Sequence, residues 1–253
     1  MTRPLHIASC SGGKDSVATI LLAAQHGEPM DEIVFAEVMF DKDTTGEVPE
    51  HRDFIYDRLK PFCEKELGVK FTILHGPKTY DDIFHHIIVR GPHKGEKRGF
   101  AWAGMCAANR ECKVNPMRKY NKALSPDTIS YVGIAIDEPK RLARLEGTPK
   151  ISLLAKYGLT EADALKLCAE HDLLSPIYAH CRRNGCWFCP NASDAELRHM
   201  ITHHPEIFDR IIEWEHEDNV FHRRLTRRET PSEIKARLLS NPQPGFSAPK
   251  SMR

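Results

Sequence analysis

The sequence has no apolar run long enough to span a bilayer. The longest near the N-terminus, residues 17–24, falls far short of the roughly 18–20 residues a spanning helix needs. Met1-Thr2-Arg3-Pro4-Leu5 carries no long apolar stretch and no small-residue cleavage pattern, so a secretory signal is not expected. Nor is there an excess of either charge. The 36 Lys and Arg stand against 35 Asp and Glu, which leaves no global field to gather nucleic acid or an acidic surface. No internal repeat is visible. These absences predict a cytoplasmic protein without a membrane partner. With 253 residues, 41% of them hydrophobic, the chain has material for one α/β domain and a small appendage.

Eight cysteines without an export signal do not read as a disulfide framework, because the cytosol keeps thiols reduced. Cys10, Cys63 and Cys168 stand alone on apolar faces and read as buried packing residues. The other five cluster. Cys186-Trp187-Phe188-Cys189-Pro190 is a chelating turn with Cys181 just upstream, and Cys106 and Cys112 form a second pair. A Cys-x-x-Cys turn presents two thiolates to one metal, and two more complete a tetrahedral zinc set. The same donors suit a [4Fe–4S] cluster, and a redox dithiol is a third use. His203-His204, His85-His86 and His6 read as ordinary surface or core histidines. Although balanced, the charge is uneven: Arg90, Lys94, Lys97 and Arg98 sit together, and Arg223, Arg224, Arg227 and Arg228 cluster later. Each group reads as a solvated face or as a phosphate-contacting surface.

Periodicity predicts strands over 5–10, 33–40, 69–74 and 129–136, the last after a long excursion over 80–127. Helices are predicted over 17–26 and 50–67, stopped by Gly27 and Gly68. Further helices are predicted over 160–171, where Thr160-Glu161-Ala162-Asp163 is a capping signal, and over 193–203 and 205–220. The alternation implies an α/β fold with a doubly wound, Rossmann-like parallel sheet and a small Cys-rich, helical C-terminal part. Such sheets bind ligands beyond the carboxyl ends of their strands. Polar clusters stand at three of those ends, over 11–16, 41–47 and 137–141. The expected division is a nucleotide-binding domain over 1–158, a helical Cys-rich part over 159–240 and a flexible tail over 241–253.

Ser11-Gly12-Gly13-Lys14-Asp15-Ser16 joins the first strand to the first helix. Glycines let backbone N–H groups close around an anion, and the helix start adds the positive end of its dipole. Lys14 supplies a point charge and the serine hydroxyls can donate to phosphate oxygens. The spacing is not that of a Walker A loop. It resembles instead the signature of the PP-loop ATP pyrophosphatases, the adenine nucleotide α-hydrolase-like group. Four further blocks resemble the phosphoadenylylsulfate (PAPS) reductase-like branch. They are Phe40-Asp41-Lys42-Asp43-Thr44-Thr45-Gly46-Glu47, Cys112-Lys113-Val114-Asn115-Pro116, the segment 133–141, and Pro176-Ile177-Tyr178 with Gly185-Cys186-Trp187-Phe188-Cys189-Pro190. Two departures stand out: Ala135 occupies a position where that branch often has Arg, and no Glu-Cys-Gly-type segment follows Pro190. True reductases carry their catalytic cysteine in such a segment and usually lack the intact loop, so the resemblance favours an ATP-using relative.

The resemblance implies a fold of the HUP/PP-loop type and cleavage of ATP between the α and β phosphates with Mg²⁺, leaving an adenylated substrate from which a sulfur or nitrogen nucleophile displaces AMP. It makes Ser11, Gly12, Gly13, Lys14, Asp15 and Ser16 the nucleotide-binding residues. Asp41 and Asp43 become candidates for metal or ribose. Lys14, Asp15 and Arg141 are the candidate catalytic residues, Asp15 toward Mg²⁺ and Arg141 as a charge clamp. Cys106, Cys112, Cys181, Cys186 and Cys189 would supply the ligands of a [4Fe–4S] cluster, with zinc as the alternative. A sulfurtransferase of this kind would have tRNA or DNA as acceptor and a sulfur-donor protein as a partner. The two other readings are a reductase of an adenylylated sulfate and a non-catalytic, zinc-stapled module that binds nucleotide or nucleic acid.

Overall fold

The structure, a computed structural model, describes residues 3–125 and 127–241, so the predicted tail lies outside the described residues from position 242 onward. The chain forms two compact units, each assembled from three separate stretches. The first comprises Met1–Glu37, Glu50–Leu74 and Pro116–Pro176; the second comprises Val38–Pro49, His75–Asn115 and Ile177–Arg253. Residue 158, the expected boundary, falls inside the last stretch of the first unit.

Seven strands are present among the described residues: β1 (His6–Cys10), β2 (Glu32–Glu37), β3 (Lys70–His75), β4 (Lys97–Gly99), β5 (Ile129–Tyr131), β6 (Lys150–Ile151) and β7 (Val220–His222). The first unit holds a five-stranded sheet in the order β3-β2-β1-β5-β6. The pairs β1–β2, β1–β5 and β5–β6 run parallel, with Cys10 opposite Phe35 and Ala8 opposite Tyr131. Strand order therefore reverses at β1, between β2 and β5. The helices Lys14–Gln25 and Glu161–Glu170 pack on each other. Ile20, Ile33, Phe35, Ile55 and Leu153 form a core with almost no solvent exposure. Burying each such side chain stabilises by roughly 1.5–3 kcal/mol.

Boundaries differ from the sequence expectation for local reasons. The first helix starts at Lys14 rather than residue 17, because extended Gly13 takes the N-cap position. The second strand ends at Glu37, since Val38 and Phe40 enter the core of the second unit. The fourth predicted strand stops at Tyr131, because the Gly133 backbone turns against the loop 11–16. The helix expected over 50–67 runs from Pro49 to Lys65 with a π-helical middle, Phe54–Leu59, and Gly68 follows it at φ +65°. The helix expected over 205–220 ends at Glu215, freeing 220–222 to form β7.

The second unit has an aromatic core of Phe40, Tyr80, Phe84, Phe100, Trp187, Phe188 and Phe208, with Trp214 packed against it. Phe40 stacks on Trp214 at 4.3 Å between centroids, and Tyr80 stacks on Phe188 at 3.9 Å. Here β4 and β7 pair in parallel, Gly99 opposite His222. A Cβ at Gly99 would lie 2.1 Å from the His222 carbonyl oxygen, so only glycine fits.

Candidate active site

The candidate residues divide by unit: the loop 11–16 and Arg141 belong to the first, Asp41, Asp43 and the five clustered cysteines to the second.

The loop 11–16 leaves β1 and enters the helix Lys14–Gln25 at the reversal point of the sheet. Gly12 sits at φ +70°, and a Cβ there would meet Ile55 Cδ1 at 2.6 Å and His51 Cε1 at 2.9 Å. Gly13 caps the helix with no side chain, so the helix start lacks a side-chain cap. Ser16 ties the turn: its hydroxyl donates to the Gly13 carbonyl at 2.9 Å and accepts the Ser11 N–H at 3.1 Å. Buried His51 bridges the Ser11 carbonyl (2.9 Å) and the Ser175 hydroxyl (2.8 Å). Cys10 accepts the Gly12 N–H at 3.3 Å, and Cys168 donates to the Lys14 carbonyl at 3.2 Å. Both thiols are buried, and burial pushes them up to about 11 and about 12, so they behave as packing residues.

Gly133, just past β5, closes the other side. A Cβ there would lie 2.6 Å from the Asp15 carbonyl carbon and 2.7 Å from the Ser16 nitrogen. The segment 133–141 is thereby brought against the loop, two stretches more than a hundred residues apart in sequence. Lys14 is only 8% exposed; its Nζ donates to both Asp15 oxygens at 2.8 and 3.0 Å and reaches Glu161 at 3.3 Å. Burial raises the Asp15 carboxyl, Lys14 opposes this, and the nearby Glu161 and Glu138 charges add to the rise. Arg141 is half exposed and pairs with Glu138 at 2.5 Å. The loop thus carries one lysine among three carboxylates. Glu138 belongs to the polar cluster 137–141 seen in the sequence, whereas sequence reasoning missed Glu161, which was legible only as part of a helix cap.

In the second unit Asp41 organises its own loop. Its Oδ1 accepts the Asp43 and Thr44 N–H groups at 2.8 and 2.7 Å, and Arg210 both pairs with Asp41 and lies 4.5 Å above the Phe40 ring. Burial alone would raise the Asp41 carboxyl, but Arg210 and the two amides bring it down to about 2. The next turn seats the cysteine knuckle. Trp187 donates from its backbone to the Gly46 carbonyl and from Nε1 to the Thr45 carbonyl, both at 3.0 Å.

Cys106, Cys186 and Cys189 interact electrostatically with one another and with buried Tyr80. Cys112 is fully buried and donates to the Lys78 carbonyl at 3.2 Å, while Cys181 lines a cavity with Cys186, Arg183, Glu196 and His199. Burial raises Cys106 and Cys186, and raises Cys112 to about 11. Among the described residues, no three of these sulfur atoms lie within 4.8 Å of one another. A tetrahedral zinc site with Zn–S of about 2.3 Å needs sulfur atoms roughly 3.8 Å apart. A [4Fe–4S] cluster spreads its thiolates over separate irons and needs no such close approach. Lys113 pairs at 3.1 Å with Glu47, which has no solvent exposure and whose Oε2 accepts no hydrogen bond. Burial pulls the Lys113 ammonium down, but the charges of Glu47, Cys186 and Cys189 together raise it. Lys113, about a quarter exposed, is thus a cation beside thiol donors, the charge that an anionic, thiolate-held group needs there.

The pairing of β4 with β7 brings the basic stretch 90–98 beside 223–228. Trp102, 48% exposed, stacks on His222 at 4.2 Å, and His93 lies 3.8 Å from Phe221. Arg90, Lys94, Arg224, Arg227 and Arg228 are exposed, whereas Arg223 is used internally on the Glu215 and Glu217 carbonyls.

No family model matches this chain, and no curated protein matches it. One solved structure that is similar to it is the U34-tRNA thiolase NcsA from Methanococcus maripaludis with its [4Fe-4S] cluster, at 16% identity and a TM-score of 0.42, covering 97% of this chain and 84% of that one.

Proposed function

We propose that this chain is an ATP-dependent enzyme that adenylates an acceptor with release of pyrophosphate and then transfers sulfur to it, the acceptor being a nucleic acid. The observation that carries this reading is the loop 11–16, clamped at the sheet reversal point between Gly12 and Gly133 with Lys14 as its cation. An acceptor oxygen attacks the α-phosphorus, the bond to the bridging oxygen of the β-phosphate breaks, and pyrophosphate leaves with that electron pair. A sulfur nucleophile then attacks the acceptor carbon and AMP departs with the oxygen. Ser11, Gly12, Gly13, Lys14 and Ser16 hold the pyrophosphate end. Because Asp15, Glu138 and Glu161 surround one lysine, a triphosphate is accommodated with Mg²⁺, for which Asp15 is the candidate ligand. Arg141, released from Glu138, serves as the charge clamp on the α-phosphate.

The thiols Cys106, Cys186 and Cys189 form the core of the proposed [4Fe–4S] ligand set, with Lys113 and Glu47 beside it. Bound there, the cluster would supply an iron at which a sulfur atom is held for transfer. Cys112, Cys181, Asp41 and Asp43 stay as supporting candidates; of these Asp41 is held by Arg210 and Cys112 by Lys78. Basic and aromatic side chains interleave around β4 and β7, as they do on surfaces that bind single-stranded nucleic acid.

The test is pyrophosphate release from MgATP by anaerobically purified protein with bulk tRNA. Wild type should release it, and Lys14→Ala should release it at least about 100-fold more slowly. Equal rates in the two proteins, or turnover of an adenylylated sulfate without ATP, would overturn the reading.

A further inference from the structure

Four histidines of the second unit converge at the C-terminal end of the helix Asp194–His203. His199 and His203, one turn apart on the same face, have ring centroids 4.7 Å apart. His180, in the turn that leads into Cys181, stacks on His199 at 4.8 Å and lies 6.0 Å from His203. His204, the C-cap, is 5.8 Å from His199, and one nitrogen of each lies within 4.8 Å of the other. His199 is buried at 7% exposure, while His180 and His203 are exposed.

We propose that this cluster is a divalent transition-metal site that takes Zn²⁺, with His199 and His203 as the chelating pair and His180 and His204 completing the set. Two histidines four apart on a helix present their nitrogens to one ion. Imidazole is a donor suited to zinc, nickel and copper rather than to magnesium or calcium. Two arginines near in sequence are turned to other partners: Arg198 donates to the Leu238 and Asn241 carbonyls, and Arg183 to the Asn191 carbonyl and the Cys189 sulfur. Core packing accounts for buried His199, and the two exposed rings gathered on it are the ones an ion would share with it. Among the described residues, no three of the four rings have nitrogens within 4.8 Å of one another, so binding requires His180 and His203, both exposed, to turn about their side-chain bonds. The site differs from the thiol set in its donors, although His199 lines one cavity with Cys181 and Cys186. It stands whether or not the nucleotide reading does.

Cobalt(II) distinguishes the two kinds of donor, since thiolate ligands add intense near-ultraviolet charge-transfer bands that imidazole ligands lack. Titration of the full, reduced chain should reveal a site with visible d–d bands only. The double variant His180→Ala/His203→Ala should weaken that site by about 100-fold, more than the loss of a supporting outer partner costs. Zn²⁺ should displace the cobalt from it. Both replaced rings are exposed, so circular dichroism should be unchanged, and His86→Ala, exposed elsewhere in the same unit, should leave the titration as in wild type. If every cobalt ion shows thiolate bands, or if the double variant binds like wild type, the site does not exist.

Discussion

Single glycines decide whether the loop 11–16 can form. At Gly12 a side chain meets both a left-handed backbone and the Ile55 methyl 2.6 Å away. Gly12→Ala should therefore destabilise by about 2–4 kcal/mol, a fall in Tm of roughly 5–15 °C by calorimetry. Gly133→Ala acts differently, because its Cβ presses on the Asp15 and Ser16 backbone rather than on a core side chain. The loop has to shift, so affinity for an adenine nucleotide should fall at least about tenfold with a smaller change in Tm. Asp41 gives the acid limb of stability. Its carboxyl lies at about 2 when folded against an ordinary 3.8, so the unfolded chain takes up the proton first. The stabilisation is fully present above pH 3.8 and disappears as pH falls through about 2. With part of the pair solvent-screened, it is on the order of 1–2 kcal/mol. Arg210→Met should accordingly lower the urea midpoint at pH 5, and its deficit against wild type should shrink at pH 2.

What was legible in the sequence is what is contiguous. The loop 11–16 fits six neighbouring residues, and the capping pair Thr160 and Asp163 fits four; the structure has both, the cap as a reciprocal box in which Thr160 accepts the Asp163 N–H at 3.2 Å. The helix it starts packs on the helix Lys14–Gln25 and carries Glu161 to Lys14. Thr160→Ala should cost about 1 kcal/mol in urea unfolding, and Ser193→Ala, which removes the equivalent cap of the histidine-bearing helix, about as much. Pairings between distant segments were not legible. Strands β4 and β7 are three residues each and too short for any periodicity, and the Lys113–Glu47 pair joins positions 66 apart through burial alone. The strand ends at Glu37 and Tyr131 were misplaced for a related reason. An apolar run continues through each, but its last residues belong to a different core or to a turn pinned by another segment. The four-residue spacing of His199 and His203 on the helix Asp194–His203 was readable, whereas the approach of His180 was not.

For the molecule as a whole, a net charge of +1 means that affinity for nucleic acid cannot come from a general field. It has to come from a local patch, and that patch mixes two kinds of contact with different salt signatures. In the proposed interface Arg90, Lys94, Arg224, Arg227 and Arg228 would act on phosphates by releasing counterions, each contact contributing roughly 0.7 to the slope of log K against log salt for a single strand. Trp102 would act by stacking on a base, a contact worth about 1–3 kcal/mol that releases no ions. Fluorescence anisotropy with a labelled single-stranded RNA, from low to high salt, should separate them. The triple replacement of Arg224, Arg227 and Arg228 by Ala should flatten the slope by as much as about 2 and erase most binding at physiological salt. Trp102→Ala should shift the line downward by about tenfold or more in affinity while keeping its slope. Parallel lines for all three proteins would remove the arginines from the interface, and an unchanged Trp102→Ala line would leave Trp102 stacked on His222 alone. Either result would return the acceptor to small molecules, because a face built from two segments more than a hundred residues apart has no other evident use for interleaved rings and positive charge.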